Sequence, residues 1–260
     1  MIHLFTITFY QPLLNLLIFL YNVIPGKDIG VAIILVTVII RLILYPFSAK
    51  AIKAQKLLQD MQPKIDEMKK LYKDQKEKQA QEMMKIYKEH KINPFSSCLP
   101  LLIQFPFLIA IYQVFRDGLQ NGSMDLLYPF IANPGQINTI AFGFFDLNKS
   151  NIILAIIAGA AQFWQAKMMM AKRPSFKNKD SKDEDMAAIM SKQMVFMMPI
   201  MTVIIGAGLP SGLVLYWLVI TVITALQQIL VLKFSGKKKK PEPPAIAPPV
   251  PPVIEIKPVQ

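Results

Sequence analysis

The chain is poor in the residue types that carry most catalytic chemistry. Its single cysteine, Cys98, excludes an intrachain disulfide and any cysteine-ligated metal cluster. That residue reads as a small packed hydrophobe rather than a reactive thiol. The only histidines, His3 and His90, fall outside the core apolar runs. A serine protease needs a nucleophile with a base in reach. Ser211 is the nearest candidate nucleophile, and no core histidine serves it. An intramembrane aspartyl protease needs paired carboxyls in facing spans, whereas Asp117 and Asp146 only flank apolar runs. The chain has no phosphate loop of the G-x-x-x-x-G-K-[ST] type, so it brings no ATPase of that kind. The opening stretch MIHLFTITFYQPLLNLLIFLYN lacks a basic n-region and does not look like a secretory signal.

Apolar residues, by contrast, are abundant. They make up 53% of 260 residues, and the mean hydropathy is +0.37. These values fit a polytopic membrane protein. Five runs are apolar enough to cross a bilayer, at about 29–47, 98–115, 152–170, 194–207 and 213–232. The fourth is short of the roughly 20 residues a span needs. It suits one arm of a tight helical hairpin with the fifth, turned by GAGLPSG at 206–212. Residues 1–28 precede these runs. Tyr10, Pro12, Asn15 and Tyr21 suit a helix lying in the membrane interface, a reading favoured over a crossing helix.

The net charge of +12 is concentrated between the runs. Residues 48–96 hold twelve lysines. Residues 172–192 hold Lys172, Arg173, Lys177, Lys179, Lys182 and Lys192, and the tail holds Lys233 and Lys237 to Lys240. The stretch 116–149 holds only Arg116 and Lys149. Basic loops stay in the cytoplasm. The expected topology therefore puts the N-terminus outside and the C-terminus inside. Nucleic-acid binding is the weaker explanation of this charge.

The basic segment 49–91 has internal order. Ile52, Gln55, Leu58, Met61, Ile65, Met68 and Tyr72 recur every three or four residues, one helical stripe. Pro63 interrupts its backbone bonding. A second helix places Ala80, Met83, Met84 and Tyr87 on one face, so the pair reads as a cytoplasmic helical hairpin ending before Asn93-Pro94. The tail, 235–260, is Lys-rich and then Pro-rich. That composition predicts disorder with polyproline character and attraction to anionic lipids.

One residue stands out against the apolar background. Arg41 lies inside VIIRLILYPF. A guanidinium at bilayer depth costs several kcal/mol, about 2.5–3.5 on insertion scales, and it cannot shed its proton. It either snorkels to the headgroups or faces protein and water. The other polar residues of the runs, among them Thr37, Gln104, Gln162, Gln165, Tyr216, Trp217, Thr221, Thr224, Gln227 and Gln228, each serve as helix glue when taken singly. Together with Arg41 they allow a wet recess with one fixed positive charge. Methionines at 168–170, 186, 190, 194, 197, 198 and 201 fill gaps in a core or line a surface for many apolar partners.

Several stretches together resemble the YidC/Oxa/Alb family of membrane protein insertases. They are TVIIRLILYPFSAK, MQPKIDEMKKLYK, EMMKIYKEHKINPFSSCLPLLIQFPFLIAIYQVF, MMPIM and GLPSGLVLYWLVITVITALQQ, covering about 10–234. The resemblance implies an all-α polytopic membrane protein. Its 29–234 core would have five transmembrane helices around a hydrophilic groove, plus the cytoplasmic hairpin and the N-terminal interfacial helix. The groove would open to cytoplasm and lipid and be closed outside. By position in the motifs, the groove Arg falls on Arg41, the groove Gln on Gln162 with Gln165 nearby, and the groove Trp on Trp217. Gln104 and Tyr216 complete the candidate client-binding set.

The implied activity is insertion of nascent membrane proteins into a bacterial inner membrane. It needs no cofactor, metal or catalytic residue. A Sec translocon, the ribosome and anionic lipids are the candidate further partners. The chain departs from the family pattern at Ser96-Ser97, at Ser211 and in its Pro-rich tail. It also shows no extra N-terminal span, no large periplasmic domain and no lipoprotein-type Cys. A channel or secondary transporter is the alternative, although no inverted repeat is visible. A membrane scaffold is a third class.

Overall fold

The structure is a computed structural model that describes residues 2–72, 75–89, 93, 99–118, 121–169 and 182–235. Cys98, His90, Pro94, the basic stretch 170–181 and the tail from 236 lie outside the described residues. Eight helices dominate the described chain: α1 (His3–Val23), α2 (Ile29–Ile43), α3 (Tyr45–Leu71), α4 (Lys76–Glu89), α5 (Leu99–Gln113), α6 (Ile152–Met168), α7 (Lys182–Gly208) and α8 (Ser211–Ser235). A two-residue antiparallel ribbon, β1 (Ile140–Ala141) with β2 (Phe145–Asp146), lies between α5 and α6.

By length and composition, α1 and the Ser211–Lys233 part of α8 are each long and apolar enough to cross a membrane. A third candidate is the pair α2 and α3, bent by 70°. The bend falls at Leu44, so the straight part of the 29–47 run ends at Ile43. Pro46 explains it: proline has no N–H to continue the ladder, and its ring clashes with the carbonyl four residues back. Ile152–Met168 and Val195–Gly208 are shorter apolar helices. The length of α1 suffices for crossing, so length does not separate that placement from an interfacial one.

The polar residues of α1 are not spread over a free surface. Asn15 is fully buried. Its side-chain amide donates to the carbonyls of Gln11 (2.7 Å) and Leu126 (3.0 Å), and its Oδ1 accepts from Tyr128 N (2.6 Å). Gln11 also donates to Leu126 O, Asn22 donates to Ala132 O, and the Tyr21 hydroxyl accepts from Asn138 N. The face from Gln11 to Asn22 spans about 16 Å of helix rise. It is stitched throughout to the 126–138 segment. Leu14, Leu17 and Ile18 join the core beside Ile33 and Val36 of α2.

The β-ribbon clamps the start of two core helices. Asp28 caps α2, accepting from Gly30 N (2.7 Å) and Val31 N (3.1 Å), while its second oxygen accepts from Phe142 N (2.6 Å). At Gly30 an added Cβ would lie 2.6 Å from Ala141 Cβ, so only glycine lets the ribbon sit flush. At the start of α8, Ser211 N donates to Lys149 O (2.9 Å) and Gly212 N to Leu147 O (3.0 Å). The buried Ser211 hydroxyl bonds the carbonyls of Asp146 and Lys149. Ser211 is thus a structural clasp. Helices α2 and α8 both start at this ribbon and both run away from it.

The helical hairpin is present, but of the expected face of its second helix Met83 and Tyr87 pack while Ala80 and Met84 are exposed, because Ile86 turns toward α3. Met61 and Ile65 of α3 are buried with Leu57, Leu58, Met83, Ile86 and Tyr87. α3 continues through Pro63 without a break. Gln59 of α3 donates to Met169 O (2.7 Å), which ties the hairpin to the end of α6.

Candidate functional site

Arg41 occupies the last turn of α2. Thr37, four residues earlier on the same face, is buried and donates to Ile33 O (2.7 Å). Beyond Arg41 the chain turns away at Leu44, so a snorkelling side chain would point past Ile43. It does not. The Arg41 Nη2 donates to Gln104 Oε1 of α5 at 3.4 Å. The Gln104 amide in turn donates to the hydroxyl of Tyr216. Tyr216 is 1% exposed and lies in the second turn of α8, near the end held by the ribbon. The guanidinium is therefore drawn inward, among three helices. Its Nε is buried and has no partner among the described residues.

The five candidate residues separate into groups. Arg41, Gln104 and Tyr216 form one hydrogen-bonded chain. Trp217 follows Tyr216 on α8 and packs against the hydrophobic core. Gln162 of α6 is bonded to the Thr202 hydroxyl of α7, which also bonds Met198 O (3.0 Å). The sequence reading passes over Thr202, and its only signal is a lone hydroxyl in a Met-rich apolar run.

Gln162 sits one turn from a close approach of α6 and α7. At Gly159 an added Cβ would lie 2.5 Å from Val203 Cγ2 and 3.1 Å from Pro199 O. The outward face of α7 exposes Phe196, Met197, Met198, Ile200, Met201, Ile204 and Ile205. A continuous apolar patch of that kind requires lipid or an apolar partner. Among the described residues no group of His, Cys, Asp and Glu could hold a metal ion.

Residues 19–239 match the model of the family described as 60Kd inner membrane protein. The chain belongs to this family. A relative in Clostridium tetani, named membrane protein insertase YidC, is 36% identical over 213 residues, covering 82% of this chain and 86% of the relative. One of the same name in Fusobacterium nucleatum is 31% identical over 226 residues, covering 86% and 97%. The membrane protein insertase MisCA of Bacillus subtilis is 34% identical over 224 residues, covering 84% and 75%. The family match agrees with the motif resemblance, and with the apolar helices it makes the chain an inner membrane protein.

Proposed function

We propose that this protein inserts nascent membrane proteins into the inner membrane, receiving their short hydrophilic segments in a wet groove whose fixed charge is Arg41. The observation that carries the reading is the inward-held guanidinium, bonded to Gln104 and left with an unpartnered Nε. An arginine at this depth normally faces protein or a water-filled recess. The relatives named as insertases support the same reading, and none is named a channel or transporter.

The work required is physical rather than chemical. A client's polar tail must pass hydrocarbon in which each unsatisfied polar group costs several kcal/mol. A recess lined by Arg41, Gln104 and Tyr216 shortens that path and offers replacement hydrogen bonds. Gln162, bonded to Thr202, and Trp217, packed on the core, stand apart from these three and would offer a client an amide and an aromatic face further along its path. Arg41 attracts acidic tails, and the client's apolar helix then moves into lipid by the hydrophobic effect.

Five spans, with the N-terminus outside and the C-terminus in the cytoplasm, belong to the same proposal. The lysine-rich segments support that orientation. The bonds from α1 to 126–138 over about 16 Å of rise support a helix lying along the outer interface beside that segment. The basic hairpin would meet clients and anionic lipids first, with a Sec translocon and the ribosome as further partners.

The test is insertion by Arg41 variants reconstituted in liposomes. Clients with acidic tails should insert at least tenfold more slowly with Arg41→Ala, and Arg41→Lys should restore part of the rate. Insertion at wild-type rates by both variants would remove the charge from the mechanism.

A further inference from the structure

The polar face of α8 does not end at Tyr216. Gln227 stands eleven residues further on, about three turns along the same side. Trp217, Thr221, Thr224 and Gln228 recur at spacings of four, three and four, a neighbouring stripe. Gln227 and Gln228 are only 6% and 4% exposed, and the Oε1 of each is buried without a partner among the described residues. Thr221 and Thr224 donate their hydroxyl hydrogens to their own helix, at Trp217 O (2.8 Å) and Ile220 O (2.6 Å). The buried, unmet hydrogen-bonding capacity on this stripe is the Oε1 of Gln227 and of Gln228. These two oxygens are acceptors, whereas Arg41 only donates.

Packing decides what covers them. α8 packs on α2, α3 and α6. Because α2 and α8 run away from the same ribbon, the start of α3 meets the far half of α8, where Gln227 and Gln228 lie. α3 reaches that position through the bend at Leu44 and is joined to α2 by nothing longer. A buried acceptor without a donor destabilises the folded state and persists where something else supplies the donor.

We propose that Gln227 and Gln228 form a second client-binding station. Their amide oxygens accept hydrogen bonds from backbone N–H groups of an extended client segment entering beneath the base of α3, before its polar tail reaches Arg41. The inference rests on the insertase reading. It adds a site whose ligand is peptide backbone, present in every client whatever its charge.

The test places a benzophenone photo-crosslinker at 227 or 228, and at the exposed positions 226 and 230 as controls, in liposomes engaged with a stalled single-span client. Crosslinks from 227 and 228, at least fivefold above 226 and 230, are expected. The double variant Gln227→Leu/Gln228→Leu should keep or raise its thermal midpoint in detergent. It should slow insertion of neutral-tailed and acidic-tailed clients alike by at least fivefold. Equal or absent crosslinks, wild-type insertion by the double variant, or a fall in its midpoint would each overturn the proposal, the last by making the amides structural. Should the double variant fail to fold, the crosslinking result decides alone. A wild-type protein that protects no client tail would instead overturn the insertase reading itself, and this site with it.

Discussion

Gln104 is the pivot of the polar chain, because it accepts from Arg41 and donates to Tyr216. Gln104→Leu strands a buried hydroxyl and one edge of a guanidinium, at a cost of about 1–3 kcal/mol for unmade hydrogen bonds. Tyr216→Phe removes one partner and leaves Gln104 able to serve Arg41, at about 1 kcal/mol. Thermal unfolding in detergent should therefore rank Gln104→Leu below Tyr216→Phe, and the reverse order would contradict the chain as described. Arg41 was legible in the sequence because a charge in an apolar run has few explanations. The types of Gln104 and Tyr216 were legible too. Their pairing was not, since 112 positions separate them and no local pattern encodes such a contact. Asn15 is a similar case. Its polarity suited a helix lying in the interface, and the partners that take up that polarity, Leu126 and Tyr128, lie more than a hundred positions away.

Among the elements, the α6–α7 pair depends on Gly159, whose missing side chain lets Pro199 and Val203 approach. Gly159→Leu should overpack this contact and cost about 1–3 kcal/mol. The thermal midpoint should drop, and the Gln162–Thr202 bond should be lost with it. The β-ribbon carries a pH dependence. A hydrogen bond from Lys149 holds the Asp146 carboxyl below its usual range, with Asn148 N and Thr139 adding to the effect. A carboxyl depressed on folding stabilises the fold above its unfolded value of about 3.9 and loses that contribution as pH falls through the lower folded value. The midpoint of the wild type should decline at pH below about 4, and Asp146→Asn should flatten that decline. The first hairpin helix was legible from apolar spacing, as Met61 and Ile65 in the α3–α4 core show, but on the second Met84 is exposed and Ile86 packs in its place. The 70° bend after Ile43 was not legible, because hydropathy continues through Leu44 and Tyr45 while Pro46 redirects the backbone. Ser211 read as the nearest candidate nucleophile, and its clasp on Asp146 and Lys149 depends on a ribbon that no periodicity announces.

At the scale of the whole molecule, the arrangement is a ribbon-clamped end, a polar chain within the helices and a basic hairpin at the other end. Asp28 and Ser211 tie α2 and α8 to one ribbon, and the proposed groove would be closed at that end and open toward the hairpin. A groove of that kind would suit partial entry of a polypeptide and not passage of a solute through the membrane. The measurement that tests this most directly uses the purified chain, without other proteins, in sealed liposomes with a single-span client bearing a short acidic tail. One sample is assayed for protease protection of the tail, and a matched sample for leakage of a small anion. The account predicts a protected tail and no leakage above empty liposomes. Anion flux with an unprotected tail would contradict it.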